Sequence, residues 1–312
     1  MSAIATITLN PALDIATSTP RIMPTHKLRC AAPLRHAGGG GVNVARVVHG
    51  LGGTVTALFP AGGIAGEIIC RLLKTAGVPF VATRIEGETR ESFAVTEKDS
   101  GAQYRFVLPG PELSPQEQWR LLESVLGLAP SPGHLVLSGS LPQGVSAQFL
   151  RRLRKIADDL GAEILLDTSS EGLKLAAGLD ALLAKPSRRE LEGFAGQSLA
   201  GDAQLAEAAR ALIREGVARS VLVSLGAEGA LLVTPATAQR FAAIPVPVLS
   251  SIGAGDSMVG ALTLALSRGR PVEEAVRRGI VAGAAALMRP GTHLAHAADV
   301  GRLFAEMSAT VP

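Results

Sequence analysis

The chain has 312 residues, of which 47% are hydrophobic and only 18% are charged. A charged fraction below the usual value of about 25% favours a large buried core and excludes disorder as the main state. The net charge is only +3, aromatic residues make up 3%, and no dense Lys/Arg stripe is interleaved with aromatics. Nucleic acid is therefore not an expected partner. Glycine is in excess, with 35 residues against a usual share of about 7%, and it is concentrated in short runs.

The cysteines and the N-terminal residues indicate the cellular compartment of the protein. Cys30 and Cys70 lie far apart and form no CxxC pair, which argues against a disulfide framework or zinc site and for a reducing environment. The first residues lack a basic segment, and no stretch reaches the roughly 20 apolar residues of a membrane span. We therefore expect a soluble, cytoplasmic protein with no membrane partner.

Short β-branched runs alternate along the chain with segments of helical period. The predicted strands are 4–9, 54–59, 135–137, 164–166, 181–183 and 221–224. The predicted helices are 42–49, 67–76, 115–127, 147–160, 188–194, 202–215, 255–267 and 272–288. This alternation predicts an α/β fold with a mostly parallel central sheet covered on both faces.

Two segments, at about 15–36 and 89–109, interrupt this order with alternating and more polar patterns. Such alternation is typical of half-exposed antiparallel strands. We interpret both segments as a small excursion from the main sheet that serves as a lid or a subunit contact. The rest of the chain contains no long linker, so we expect residues 1–312 to form a single domain.

The strongest motif is the stretch 251–257, Ser-Ile-Gly-Ala-Gly-Asp-Ser, which opens the predicted helix 255–267. Two glycines allow a tight turn, and the amides at a helix N-terminus favour an anion. Asp256 in such a site can accept a proton from an incoming hydroxyl while the amides hold phosphoryl oxygens. An acid that only occupies the first helical turn is an equally plausible interpretation.

A second motif places four glycines, Gly38 to Gly41, directly before the predicted helix 42–49, with Asn43 in its first turn. A flexible surface loop is one interpretation, and close approach to a ligand is the other. No GK[ST] follows the run and no GxGxxG follows the first strand, so neither a Walker A motif nor a dinucleotide fingerprint is present.

Asp14 follows the first strand, at the sheet edge where α/β proteins bind ligands. It could bond sugar hydroxyls, although a turn or helix cap is the commoner role. Basic residues in the lid-like segments could recognise a phosphate, although each alone is more often a solvated charge. They are Lys27, Arg29, Arg90 and Arg105.

Several separated motifs together resemble the PfkB-type, ribokinase-like sugar kinases, and this resemblance covers essentially the whole chain. The matching stretches are 10–14, 27–30, 38–41, 59–63, 103–107, 138–142 and 252–260. The resemblance implies a ribokinase-like αβα sandwich with a small β-strand lid, and a homodimer formed through the lid strands. It also implies transfer of the ATP γ-phosphoryl group to the 1-hydroxyl of fructose 6-phosphate, a sugar-phosphate kinase reaction of glycolysis.

The resemblance also assigns roles to single residues. Asp256 would be the general base, and the amides of Gly253, Ala254 and Gly255 would form the anion hole. The groups implied to hold the sugar phosphate are Asp14, Lys27 (from the neighbouring subunit), Gly39, Asn43, Arg90, Arg105 and Ser140. Those implied to line the nucleotide are Lys185, Ser187, Ser224, Gly226 and Gly229. Glu190 would act on Mg²⁺ through water, and a potassium loop would involve Ser250, Ile252, Ala286 and Gly291.

The chain departs from the family pattern at two places. Ser187 stands where the family's Asn-x-x-Glu motif has its asparagine, which leaves the Mg²⁺ network open. Near the potassium loop, Arg289 and His293 stand where a close relative in that family has an asparagine and an arginine, which leaves potassium dependence open. The alternative activities are phosphorylation of tagatose 6-phosphate or of fructose 1-phosphate, and a different class is a non-catalytic sensor of sugar phosphate or nucleotide.

Overall fold

The computed structural model describes residues 2–310, and its centre is a nine-stranded sheet. The strands are β1 (Ala3–Ile7), β4 (Val55–Ala61), β5 (Phe80–Arg84), β8 (Pro132–Ser138), β9 (Glu163–Asp167), β10 (Leu183–Ala184), β11 (Val221–Ser224), β12 (Ala230–Val233) and β13 (Ala238–Phe241). They lie in the order β13-β12-β11-β10-β9-β8-β1-β4-β5. All neighbours are parallel except β11–β12 and β12–β13. The predicted mostly parallel sheet is confirmed.

Helices cover both faces of this sheet. They are α1 (Gly40–Gly50), α2 (Gly63–Thr75), α3 (Pro115–Leu126), α4 (Ala147–Leu160), α5 (Ser170–Leu175), α6 (Arg188–Ala195), α7 (Gly201–Arg214), α8 (Ala254–Ser267), α9 (Val272–Leu287) and α10 (Ala297–Thr310). Successive strand residues point to opposite faces, so Leu135 and Leu137 join one core with α3, α4 and α7. Val136 between them joins the other core, with α1, α2 and α8. The αβα layering follows from this alternation.

A second, four-stranded sheet lies beside the first, in the order β3-β2-β6-β7. Its strands are β2 (Ala12–Thr19), β3 (Leu34–Gly38), β6 (Arg90–Glu97) and β7 (Gln103–Val107). The outer pairs are antiparallel, as predicted, but β2 and β6 are parallel. The prediction of antiparallel strands is wrong for this central pair because β2 and β6 follow the parallel strands β1 and β5 and keep their direction.

Some predicted elements differ in extent. The strand expected at 181–183 is found at Leu183–Ala184, with an isolated bridge between Ala181 and Ala218 before it. Asp180, just before this bridge, has a left-handed backbone (φ 49°). Strands β5, β12 and β13 and helices α5 and α10 were not predicted. Within residues 2–310, no helix combines the length and the apolar character that a bilayer crossing requires.

Candidate active site

Helix α8 begins at the carboxyl edge of the main sheet, and Asp256 lies in its first turn. The first intrahelical hydrogen bond runs from the Ser257 N–H to the Gly253 carbonyl at 2.9 Å. The N–H groups of residues 254 to 256 therefore lie ahead of the helical ladder and are free to bind an anion. Gly253 has φ 76° and an added Cβ would lie 2.5 Å from Leu294 Cδ2, whereas an added Cβ at Gly255 meets only Lys185 Nζ, at 3.8 Å. The turn thus requires glycine at position 253, whereas position 255 has space for a side chain.

The Asp256 carboxyl lies among charged and polar groups from four other elements. Burial and the nearby Asp167 carboxylate raise its pKa from 3.8 to about 6, although Asn43 and Lys185 act in the opposite direction. The Asn43 amide, at the start of α1, donates from Nδ2 to Asp256 Oδ2 at 2.8 Å. A carboxylate that titrates just below neutral pH is suited to accept a proton from a hydroxyl.

A buried ion pair lies next to this carboxyl. Lys185 Nζ is 3.1 Å from Asp167 Oδ1, and Lys185 is only 5% exposed. Burial lowers the pKa of Lys185, but the carboxylates of Asp167 and Glu190 raise it by more, so the ammonium stays charged. Asp167 also accepts a hydrogen bond from the Ser138 hydroxyl at 3.1 Å. Sequence reasoning missed Asp167, although an acid directly after the apolar run 164–166 was a usable signal.

The glycine run is a packing contact and not a flexible loop, because Gly40 and Gly41 already belong to helix α1. A Cβ at Gly38 would overlap the Asp14 carboxylate, and one at Gly40 would overlap the Ser138 hydroxyl. A Cβ at Gly41 would lie 2.5 Å from Thr8 Oγ1. The glycines therefore let the N-terminus of α1 approach the ends of β1 and β8, which brings Asn43 to Asp256.

The small sheet carries three of the groups predicted to hold the sugar phosphate, which are Asp14, Arg90 and Arg105. Asp14 lies in strand β2 and not in the turn or cap considered as its commoner role. Burial raises its pKa, while the charges of Arg105, Arg90 and Arg46 oppose this shift. Arg90 donates to the Asn10 carbonyl at 3.1 Å, and Asn10 Nδ2 donates to Ser140 Oγ at 3.1 Å. Cations and a carboxylate in one place can bind a phosphate and a sugar hydroxyl together.

The residues predicted to line a nucleotide lie across β10 and β11. Ser187 and Ser224 form a parallel bridge, and Gly226 and Gly229 follow with φ 60° and φ 90°. Gly229 needs the absence of a side chain, since a Cβ would overlap the Phe241 carbonyl. Lys185 directly follows β10, and its ammonium is close enough to interact with the Asp256 carboxylate.

The predicted Mg²⁺ residue Glu190 is held by Ser187. Glu190 Oε2 accepts from the Ser187 N–H at 2.7 Å and from its hydroxyl at 2.8 Å, which forms a capping box at the start of α6. Within residues 2–310, no cluster of three or more His, Cys, Asp or Glu side chains is arranged to hold a metal ion. Any divalent ion here would depend largely on substrate phosphates and water for its ligands.

The remaining predicted residues lie at the edges of the site. Ser250 Oγ donates to the Gly291 carbonyl at 2.7 Å, and Ile252 packs against the small sheet at Ala16 and Ala94. The Ala286 carbonyl accepts from the Arg289 N–H at 3.0 Å. The Arg289 guanidinium forms an ion pair with Asp299 of α10. Lys27 and Arg29 lie in the exposed stretch between β2 and β3.

Comparison with known proteins identifies the family of this chain. The pfkB family carbohydrate kinase profile matches residues 8–297. The chain belongs to the pfkB family of carbohydrate kinases. It is 48% identical over 302 residues to ATP-dependent 6-phosphofructokinase isozyme 2 of Mycobacterium tuberculosis, covering 96% of this chain and 88% of that one. It is 42% identical over 309 residues to the Escherichia coli isozyme 2, covering 99% and 100%.

The crystal structure of phosphofructokinase-2 from Escherichia coli in complex with substrates and products has a TM-score of 0.90 and 42% identity. The match covers 98% of this chain and 99% of that one. The predicted family and the ribokinase-like αβα fold are therefore confirmed. The roles of single residues remain predictions.

Proposed function

We propose that this pfkB-family kinase transfers the γ-phosphoryl group of ATP to the 1-hydroxyl of fructose 6-phosphate, with Asp256 as the general base. One observation carries the proposal. Asp256, with a pKa of about 6, is close enough to interact with the buried Lys185 and with Asp14, and Asp14 in turn interacts with Arg90 and Arg105 of the small sheet. The names of the relatives support the choice of fructose 6-phosphate and ATP as the two substrates.

The order of events follows from this arrangement. Arg90 and Arg105 bind the 6-phosphate, and Asp14 bonds a sugar hydroxyl, which leaves the 1-hydroxyl beside Asp256. Asp256 accepts the hydroxyl proton as the oxygen attacks the γ-phosphorus, and ADP leaves from the opposite side. The N–H groups of residues 254 to 256 and the Lys185 ammonium stabilise the negative charge on the transferred group. Little covalent help is needed, because phosphoryl transfer depends mainly on positioning and charge neutralisation.

The site residues are better suited to bind Mg-ATP than to bind a metal ion without a nucleotide. Lys185 and the α8 amides offer donors for phosphates, and an added Cβ at Gly226 would meet nothing within 4 Å, so space remains there. The carboxylates form no metal cluster within residues 2–310. When bound, Mg²⁺ would neutralise phosphate charge. Glu190 and Asp167 would be the carboxylates that hold it through water.

A substrate panel tests the proposal. The purified chain is assayed for ADP release with fructose 6-phosphate, tagatose 6-phosphate and fructose 1-phosphate, with Asp256→Asn as a parallel control. We expect the highest kcat/KM with fructose 6-phosphate. A higher value with either other sugar phosphate would replace the proposed substrate. Binding of Mg-ATP and fructose 6-phosphate without turnover would favour the sensor function.

We infer that two copies associate through the outer face of the small sheet. Register places Ile15, Phe93 and Phe106 side by side on that face, and Val95 and Tyr104 form the next row. Phe106 is 54% exposed and Tyr104 is 40% exposed, and an exposed apolar patch of this kind marks an interaction surface. Light scattering should give a dimer for the native chain and a monomer for Phe106→Asp. A native monomer would refute the inference.

A further inference from the structure

Arg46 lies on helix α1, one turn after Asn43, and is partly buried. Its Nη1 donates to the Ala37 carbonyl at 2.8 Å and to Asn43 Oδ1 at 3.0 Å. Within residues 2–310, no carboxylate lies within 4.0 Å of this guanidinium, although it is close enough to interact with Asp14 and Asp256. Burying a guanidinium without a direct ion pair opposes folding, so its presence calls for a reason other than stability.

The chemistry of the two bonds of Asn43 supplies that reason. An amide can present either its oxygen or its NH₂ to a neighbour, and in isolation nothing fixes the choice. Arginine has no acceptor atom, so it can bind only the amide oxygen. With Oδ1 held by Arg46, Nδ2 faces Asp256 and donates at 2.8 Å. The opposite orientation would place an amide oxygen against the carboxylate, which is repulsive.

We propose that Arg46 is a positioning residue, which fixes the Asn43 amide so that its N–H, and not its oxygen, faces the catalytic carboxylate. Arg46 touches neither the carboxylate nor the reacting atoms in this role. It acts through Asn43, and its charge stabilises the ionised form of Asp256 over a longer distance. The inference rests on the proposed function, because it assigns a support to the proposed base.

The groups that face Asp256 come from several elements. They are Asn43 and Arg46 of α1, Asp14 of β2, Asp167 of β9 and Lys185 beyond β10. Of these, only Asn43 bonds the carboxylate directly among the hydrogen bonds of residues 2–310. Replacement of Arg46 therefore removes the fixed Asn43 donor and the Arg46 positive charge from the surroundings of Asp256. Both losses raise the pKa of Asp256.

The test compares Arg46→Met, Arg46→Lys and the control Arg268→Met. Arg268 is an exposed arginine at the end of α8 that donates to the Gly52 carbonyl. For Arg46→Met we expect kcat with fructose 6-phosphate to fall about ten- to a hundredfold, while KM changes by less than about threefold. The acidic limb of the pH profile of kcat/KM should move to higher pH by about half a unit or more. Arg46→Lys should recover most of the shift, and Arg268→Met should match the native chain.

Three results would overturn the inference. An unchanged acidic limb in Arg46→Met, with a lower melting temperature, would make Arg46 purely structural. A rise in KM larger than the fall in kcat would make it a substrate contact. Titration of the Asp256 carboxyl by ¹³C NMR needs no turnover, so it separates this inference from the proposed function. An equal carboxyl pKa in the native chain and Arg46→Met would refute the positioning role even if no sugar phosphate reacts.

Discussion

Replacement of Asp256 by asparagine should remove activity and stabilise the fold. The change keeps the shape and leaves an oxygen that can accept from Asn43, but it removes the base. Loss of a general base typically lowers the rate by about 10²- to 10⁴-fold. We therefore expect kcat at pH 7.5 to fall by at least about a hundredfold, measured as ADP release with saturating fructose 6-phosphate.

The stability effect follows from the pKa of Asp256, which burial raises from 3.8 to about 6. The difference of about 2.2 units corresponds to about 3 kcal/mol. Because the folded pKa lies above the unfolded one, the folded state binds the proton more tightly and the cost of ionisation grows as pH rises from 3.8 to 6. The cost is absent below pH 3.8, about half complete at pH 5 and full above pH 6.

Asp256→Asn removes this cost. The free energy of unfolding should rise by as much as about 3 kcal/mol at pH 7.5, equivalent to a melting temperature higher by roughly 5 °C. At pH 5.0 the gain should be about half as large. Asp159→Asn, on the exposed surface of α4, is the control and should change neither activity nor stability. Activity within tenfold of the native chain would refute the base, and a gain in stability that does not grow with pH would refute the electrostatic argument.

Three further predictions use neighbouring groups. Gly255→Ala should fold normally but lose activity, because the added Cβ has space in the free protein and enters the site of the phosphoryl group. Gly253→Ala should instead lower the melting temperature, because the φ of 76° at this position and the contact with Leu294 both oppose a side chain. Lys185→Met should lower the free energy of unfolding by about 3–5 kcal/mol, because it leaves the Asp167 carboxylate buried without its partner, and adding Asp167→Asn should restore part of that loss in urea unfolding. Replacing NaCl by KCl at equal ionic strength should raise kcat in both the native chain and Arg289→Ala, because the Arg289 guanidinium is already paired with Asp299 of α10. An increase of kcat only in Arg289→Ala would mean that the arginine occupies the cation site.

The order of strands and helices was predictable because buried parallel strands form apolar runs and the helices between them have a clear period. The strands that were not predicted lack such apolar runs or have only short ones. Strand β13, Ala-Gln-Arg-Phe, is an exposed edge whose pairing with β12 depends on contacts that no local pattern encodes. The parallel pairing of β2 with β6 likewise depends on how two distant parts of the chain leave the main sheet.

The candidate site was predictable where a motif is local and not where partners are distant. Asp256 and its glycines were found from seven consecutive residues, and Asn43 from the glycine run before it. The sequence predicted that the glycine run allows a close approach, but not that Gly40 and Gly41 pack against Ser138 and Thr8 of the protein itself. Asp167 carried only the weak signal of an acid directly after an apolar run, and its bond with Ser138 joins two separate strands. Arg46 contacts Asn43 within one turn of α1. The contact of Asn43 with Asp256 joins distant parts of the chain, and a single sequence contains no direct trace of it.

The most direct test of the proposed phosphoryl transfer follows the phosphorus atom itself. The native chain is mixed with Mg-ATP and fructose 6-phosphate, and the products are followed by ³¹P NMR at pH 7.5. We expect loss of the γ-phosphate signal with equal growth of a second sugar-phosphate signal at the 1-position, and almost no change with Asp256→Asn. Release of inorganic phosphate alone, transfer to another hydroxyl, or an equal rate with Asp256→Asn would contradict this expectation.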